Sequence, residues 1–379
     1  MFSWRSLVLF PSRQAQGLGL FDMKRGETRL AQRLKAKIGH EGPMTFRDFM
    51  AAALYDTDEG FYAKGSLIGN SEGAYLTNAQ YPAFGFALAR AALHAEALVG
   101  EPLRIVEFGG GTGMLAAAMQ RWLQAPREYI IVEPSSGLRA IQRARGLSTV
   151  SSPWELKPAP TVVFANEVLD SLPVHRLMGM NDAQVCEVYV GLNDRQEFTD
   201  WPDRPSTSLL LDRLKEEGIV LGRGQLAEVC LDIEPFLAGV KHVMSKGYAI
   251  FIDYGDEAKN LYSPTRRNGT LCAYWNQQKH YEWYLRVGDQ DLTADVDYTA
   301  LRTLACRAGL LPAGQIRQGQ WLQNLGIHDY IDGSVSGISD VHERNLEIIQ
   351  LTHPAKLGSA FDVLIFKTPE LPDGPGLHL

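Results

Sequence analysis

Glu107-Phe108-Gly109-Gly110-Gly111-Thr112-Gly113 sets an acid two residues ahead of alternating glycines. Glycines so spaced let a backbone turn sharply and let a ligand come close to it. An apolar run, Leu103 to Val106, feeds the loop, and a helix-compatible run, Met114 to Leu123, leaves it. Two cofactors fit such a strand–loop–helix. The pattern E-x-G-x-G-x-G is the cradle many S-adenosylmethionine (SAM) methyltransferases use, with Gly109, Gly111 and Gly113 admitting the amino-acid portion of the cofactor. The competing G-x-G-x-x-G/A pattern, which seats a pyrophosphate at a helix N-terminus, is met by Gly111 to Ala116. Read from Gly109, however, its third position is Met114, and Glu107 would repel a pyrophosphate. SAM is the expected cofactor, and a strand–helix turn that binds nothing is the plain alternative.

Glu133 lies twenty residues beyond Gly113, at the predicted end of the next strand. An acid there accepts the ribose hydroxyls of an adenosine cofactor. The segment Asn166-Glu167-Val168-Leu169-Asp170-Ser171-Leu172-Pro173-Val174 follows a third apolar run, Thr161 to Ala165. Ligands of open α/β sheets bind outside the carboxyl ends of strands, which places Asn166 to contact the cofactor. Glu167 and Asp170 share one side if a helical turn starts here. Two carboxylates can orient a cationic acceptor or take its proton. The competing reading is a helix N-terminus whose dipole favours acids. Asp253, ending the run Tyr248 to Asp253, is the third acid expected to handle the acceptor. His175 reads as structural.

The elements that must position these residues alternate. Helices are expected over Glu27 to Ile38, from Phe46 to Leu54 with Thr45 as N-cap, and from Ala83 to Leu98. Strands follow at 103–108, 129–133, 161–165 and 248–253, with helices around 136–145 and 232–245. Short β-branched and aromatic runs between helices argue for a doubly wound parallel sheet. Two segments break the rhythm. Residues 179–224 hold a hairpin-like stretch, Val185 to Phe198, turning at Asn193-Asp194, and a proline-rich loop, Trp201 to Pro205. Residues 256–290 read as a loop rich in basic and aromatic side chains, among them Arg266, Arg267, Tyr274, Trp275 and Trp283. Such a tract could stack nucleobases, but a lid or partner-facing loop suits the acidic chain better.

The formal net charge of −7 over 379 residues gives no general attraction to nucleic acid. Residues 1–40 nevertheless hold eight of the 37 basic residues and two of the 44 acidic ones. Segment 1–26 is expected to be disordered or a targeting segment. Cys186, Cys230, Cys272 and Cys306 are far apart with no C-x-x-C pair, so neither a metal site nor a disulfide framework is indicated. No apolar run approaches the ~18 residues of a membrane span. The cytoplasm is the expected location, with the mitochondrial matrix as the alternative.

With these pieces assembled, the chain resembles the MidA-like SAM-dependent methyltransferases over about residues 42–368. That family includes mitochondrial complex I assembly factors that methylate arginine in a partner subunit. Gly42-Pro43-Met44-Thr45-Phe46 and Gly60-Phe61-Tyr62 are similar to its N-terminal cap, and Asn166 to Val174 to its N-E-x-x-D-x-L-P-V signature. Ile252 to Gly255, Asp291 to Ala294, and Gln318-Gly319-Gln320-Trp321-Leu322 follow in the family's order. Four departures bear on acceptor contacts more than on SAM contacts. The usual G-P-G-R-G loop has Gly110 and Thr112 for Pro and Arg. Gly73-Ala74-Tyr75 lacks an acid, F-G-E reads Phe84-Gly85-Phe86, and Asp295 stands where His is usual.

The resemblance implies a class I SAM-methyltransferase (Rossmann-like) α/β fold with a mostly parallel seven-stranded sheet, an N-terminal helical cap and inserted substrate elements. Its expected divisions are a cap at 27–100, a SAM-binding core at 101–178 and 225–368, inserted substrate or partner elements at 179–224 and 256–290, and a tail at 369–379. It implies transfer of a methyl group to a protein, arginine included, or to another nitrogen or oxygen acceptor. Glu107, Gly109, Gly111, Gly113, Glu133 and Asn166 would hold SAM, and Glu167, Asp170 and Asp253 would serve the acceptor. The partner is a protein or small-molecule methyl acceptor, and a homodimer is allowed. The alternative is a weak or inactive SAM-fold assembly factor acting through protein–protein binding. A nicotinamide oxidoreductase is disfavoured by Glu107.

Overall fold

The computed structural model describes residues 27–64, 77–123, 127–181, 184–333 and 340–377. The basic segment 1–26 and the Gly73-Ala74-Tyr75 departure lie outside the described residues. Seven strands form the central sheet: β1 (Arg104–Phe108), β2 (Tyr129–Val132), β3 (Ser148–Val150), β4 (Ala159–Asn166), β5 (Met244–Asp253), β6 (Leu311–Arg317) and β7 (Asp362–Lys367). Their order is β6-β7-β5-β4-β1-β2-β3. Strands β1 to β5 pair in parallel, and β7 is antiparallel to both of its neighbours. The chain thus builds the expected mostly parallel seven-stranded α/β sheet.

Successive side chains of a strand point to opposite faces, and this alternation splits the core. Ile105, Val162, Phe164, Ile250 and Ile252 pack beneath the helices Pro82–Val99, Gln318–Asn324 and Val341–Thr352. Their chain neighbours Val106, Val163, Ala165, Ala249 and Phe251 pack on the other face against Ile233–Val243 and Tyr298–Arg307. From β1 the chain winds outward through β2 and β3, and from β4 it winds the other way. The carboxyl ends of β1 and β4 therefore open a crevice at the point of reversal, where such sheets bind ligands.

A second, antiparallel sheet stands beside the first. It joins Met44–Thr45, His175–Gly179, Val185–Leu192, Phe198–Asp203 and Leu226–Val229. The cap helix Phe46–Tyr55 leaves this sheet directly, with the Thr45 hydroxyl accepting from the Asp48 N–H at 3.1 Å. Its apolar stripe of Phe46, Phe49, Met50, Ala53 and Leu54 is buried with Val190 and Leu292.

Two loop expectations are corrected. Pro202 lies inside a strand, opposite Val188. The strand is at the sheet's edge, where a missing N–H costs no ladder bond. Segment 256–290 is not a plain loop: it contains the helix Ala258–Leu261 and the strands Cys272–Trp275 and Gln278–His280, the first of which also pairs with Asp291–Thr293. The hairpin turns on Asn276 and Gln277, both at positive φ (47° and 60°). Asn tolerates that region, but Gln is an uncommon partner there, so the usual Asn-Gly signal is missing.

Arg176 ties the cap to the second sheet. It is 1% exposed, donates to both carboxylate oxygens of Asp200 at 2.7 and 3.2 Å, and lies between the rings of Phe46 (5.1 Å) and Trp283 (4.6 Å). Tyr284 donates to the same carboxylate at 2.6 Å. Removing the buried Arg176 leaves the half-buried Asp200 carboxylate without its cation. Arg176→Met is expected to lose about 3 kcal/mol of stability in urea unfolding. Arg176→Lys should recover less than half of it, because an ammonium cannot reproduce the planar two-point contact or the stacking.

Candidate active site

A cavity of about 560 Å³ fills the crevice, within the roughly 300–1,000 Å³ of small-molecule sites. Its walls are the loop Glu107 to Thr112, the ends of β2 (Val132 to Pro134) and β4 (Asn166 to Val168), the exit of β3 (Ser151 to Trp154), and Tyr55, Tyr62 and Thr77 from the cap. Gly109 sits at φ +68°, and a Cβ there would lie 2.7 Å from Cγ2 of Val168. The glycine loop and the segment after β4 are thus pressed together, and a larger residue would force them apart. Gly113 caps the helix Met114–Gln120 and stands behind the cavity wall.

Three glutamates reach this cavity, and burial raises each to about pKa 7. Glu107 is 3% exposed and accepts a hydrogen bond from the Tyr129 hydroxyl at 2.8 Å. Glu133 ends the second strand, where Oε1 accepts from the Ser135 N–H at 2.9 Å. Glu167 follows β4 in the left-handed region, at φ +55°. Its Oε1 accepts from the Thr77 hydroxyl (3.0 Å), the Asn78 N–H (3.0 Å) and Asn166 Nδ2 (2.9 Å).

No helix begins at Glu167, so the shared face expected for Glu167 and Asp170 is not formed. The chain turns instead. Asp253 Oδ2 accepts from the successive N–H groups of Val168 (3.1 Å), Leu169 (2.8 Å) and Asp170 (3.3 Å), and its Oδ1 accepts from the Tyr254 N–H (2.9 Å). Asp253 and Asp170 are 1% and 6% exposed and lie behind the turn, not on the cavity wall. Burial raises the Asp170 carboxyl, which the Tyr254 hydroxyl partly offsets by hydrogen bonding. Nearby, Tyr62 donates to Asp291 Oδ1 at 3.1 Å. His175 sits in the second sheet, 2.7 Å from Glu187, a structural contact.

The departures from the family pattern separate in space. Gly110 and Thr112 are on the cavity wall. Asp295 is paired with Arg266 at 3.0 Å. Phe86 packs against Trp122 and Tyr330 in the helical layer, away from the cavity. Sequence reasoning missed Thr77, Tyr55, Trp154 and the ion pair Arg47–Asp232 (2.8 Å), all at the cavity. The cap motif ending in Tyr62 was the one signal that pointed there. Among the described residues, no cluster of His, Cys, Asp and Glu fits a metal ion, and no helix is long and apolar enough to cross a membrane.

Residues 87–316, more than half of the chain, match the profile of a family described as "Putative S-adenosyl-L-methionine-dependent methyltransferase". The chain is 26% identical over 387 residues to a Drosophila melanogaster protein named as a mitochondrial homolog of the protein arginine methyltransferase NDUFAF7, covering 89% of this chain and 85% of that one. It is 24% identical over 343 residues to the mitochondrial NDUFAF7 protein arginine methyltransferase of Mus musculus, covering 79% and 74%. It is also similar to the crystal structure of a Burkholderia thailandensis protein, described as a "likely methyl transferase", bound to S-adenosyl-homocysteine. That similarity has a TM-score of 0.80 and 29% identity, covering 89% of this chain and 91% of that one.

The buried acids make stability depend on pH. Burial raises the Glu107 carboxyl to about 7 in the folded chain, against 4.5 for an ordinary glutamate. Its folded pKa is raised, so the native state binds the extra proton between these values and stability falls as pH rises through that window. Glu107→Gln keeps an acceptor for Tyr129 and removes the titration. In urea unfolding the variant should match the wild type near pH 5 and exceed it by about 2–3 kcal/mol at pH 8.

Proposed function

The chain belongs to the family of S-adenosyl-L-methionine-dependent methyltransferases, and we propose that it transfers the methyl group to an arginine side chain of a partner protein. The observation that carries this reading is Glu167, a half-buried carboxylate fixed at the cavity end of β4 with its donors gathered on one oxygen. The arginine methyltransferase names of the relatives support the choice of acceptor. Their mitochondrial names favour a mitochondrial location over the cytoplasm expected from the sequence.

The residues present fit SAM. The glycine loop leaves backbone open to the cavity, and Glu133 brings a buried carboxylate to the end of β2. Glu133 would accept from the ribose hydroxyls, Gly109 and Gly111 would admit the amino-acid portion, and Asn166 would contact it from β4. Glu107, which reaches the cavity at the end of β1, would help hold the cofactor, and Gly113 shapes the loop from behind. When bound, the cofactor supplies an electrophilic methyl group on a cationic sulfur. As the new N–C bond forms and the S–C bond breaks, the guanidinium must give up a proton. Glu167 holds the guanidinium by charge-assisted hydrogen bonds through Oε2. Its pKa of about 7 suits it to take that proton at neutral pH. Asp170 and Asp253 serve the acceptor indirectly, by holding the turn that carries Glu167. We assign the cofactor to segments 101–178 and 225–368, and docking of the partner to the cap at 27–100 and the inserts at 179–224 and 256–290.

Calorimetry with S-adenosyl-homocysteine should give at least about tenfold weaker binding for Glu133→Ala, the loss of a charge-assisted hydrogen bond. An unchanged affinity would remove the role given to Glu133. Glu167→Gln should slow arginine methylation in a cell lysate by about 10²–10⁴-fold, read by mass spectrometry, with cofactor affinity nearly intact. Wild-type turnover in that variant would refute the assignment. Cofactor binding with no methylated arginine in the wild type would favour the assembly-factor reading.

A further inference from the structure

The Gln318-Gly319 pair has no part in the cavity, yet it connects to Glu167 through buried polar groups. Gln318 and Asn78 are each fully buried and hold each other by two reciprocal amide bonds. Asn78 Nδ2 donates to Gln318 Oε1 at 2.8 Å, and Gln318 Nε2 donates to Asn78 Oδ1 at 3.1 Å. Gln318 Nε2 also donates to the carbonyl of Leu351 at 3.2 Å, near the end of the helix Val341–Thr352. The backbone N–H of Asn78 and the hydroxyl of Thr77 both donate to Glu167 Oε1. Next along the chain, a Cβ on Gly319 would lie 2.4 Å from the carbonyl of Thr352. Only glycine lets the helix Gln318–Asn324 come this close to the end of its neighbour.

We propose that Asn78 and Gln318 form a positioning pair that fixes the donors on Glu167, and so fixes the carboxylate that meets the acceptor. The meaning of that carboxylate rests on the acceptor site proposed above, but the positioning does not. Residue 78 lies in a short turn, Asn78–Gln80, too brief to hold its own orientation. The amide pair anchors it to the far helices. A buried polar group gains from being fully satisfied. In this orientation Asn78 satisfies both ends of its amide, with Nδ2 also donating to Asn166 Oδ1 at 3.4 Å and Oδ1 accepting from Gln318. The geometry separates the Gln318-Gly319 motif into an amide that positions Asn78 and a glycine that lets the amide reach it.

The test reads Glu167 itself, without any acceptor. In protein labelled with carbon-13 at glutamate carboxyls, the Glu167 signal is assigned by its loss in Glu167→Gln. Gln318→Met removes the pair while keeping the side chain's length. Freed donors stabilise the carboxylate less, so its titration midpoint should rise by about one pH unit, a tenfold change in proton affinity. Asn78→Ala should raise it similarly, and serves if Gln318→Met does not fold. Trp321→Phe loses the bond from Trp321 Nε1 to Pro375 O (2.9 Å) on the same helix and should leave the midpoint in place. A midpoint unmoved in the folded pair variants, or moved equally by Trp321→Phe, would overturn the proposal. Because no methyl transfer is measured, failure here is distinct from failure of the arginine reading, which Glu167→Gln turnover tests.

Discussion

Three successive amide N–H groups, those of Val168, Leu169 and Asp170, converge on one oxygen of Asp253. Such a cluster of backbone donors is a strong anion site, and here the protein fills it with its own carboxylate. The contact joins the carboxyl ends of β4 and β5, turns the chain out of the sheet, and accommodates the positive φ of Glu167. The glycine loop leans on the result, since Gly109 packs against Val168. The glycine loop and Glu167 are thus both referred to one buried acid that lies behind the cavity wall.

Much of this was legible in the sequence because it is local. The apolar runs, the glycine loop and the acid at the end of the second strand lie in contiguous stretches whose spacing reflects strand and helix periods. The cap helix was equally clear, since Thr45 and the stripe Phe46 to Leu54 carry both its start and its buried face. The N-E-x-x-D segment was found, but its shape was misread. Helix spacing suggested a shared face for Glu167 and Asp170, whereas the amides that would begin such a helix are taken by Asp253, 83 to 85 residues away in the chain. No local pattern reports that contact. The hairpin at Asn276-Gln277 and the strand through Pro202 were missed for a related reason: tertiary pairing overrode weak turn and breaker signals.

The same distinction orders the departures from the family pattern. Phe86 belongs to an aromatic packing cluster and bears on stability. Asp295 is neutralised by Arg266. Among the described departures, Gly110 and Thr112 lie on the cavity wall, so these two have a direct route to ligand choice. Asp170, Asp253 and Asp291, whose charges bear on one another, are all buried.

A crystal structure of the protein with S-adenosyl-homocysteine tests the central claim most directly, because it locates the cofactor relative to Glu133, the glycine loop and Glu167 at once. The account predicts ribose hydroxyls on Glu133, the amino-acid portion against Gly109 and Gly111, and the sulfur facing the cavity side of Glu167. A ligand bound outside this crevice, or with its ribose away from Glu133 and its sulfur turned from Glu167, would contradict it.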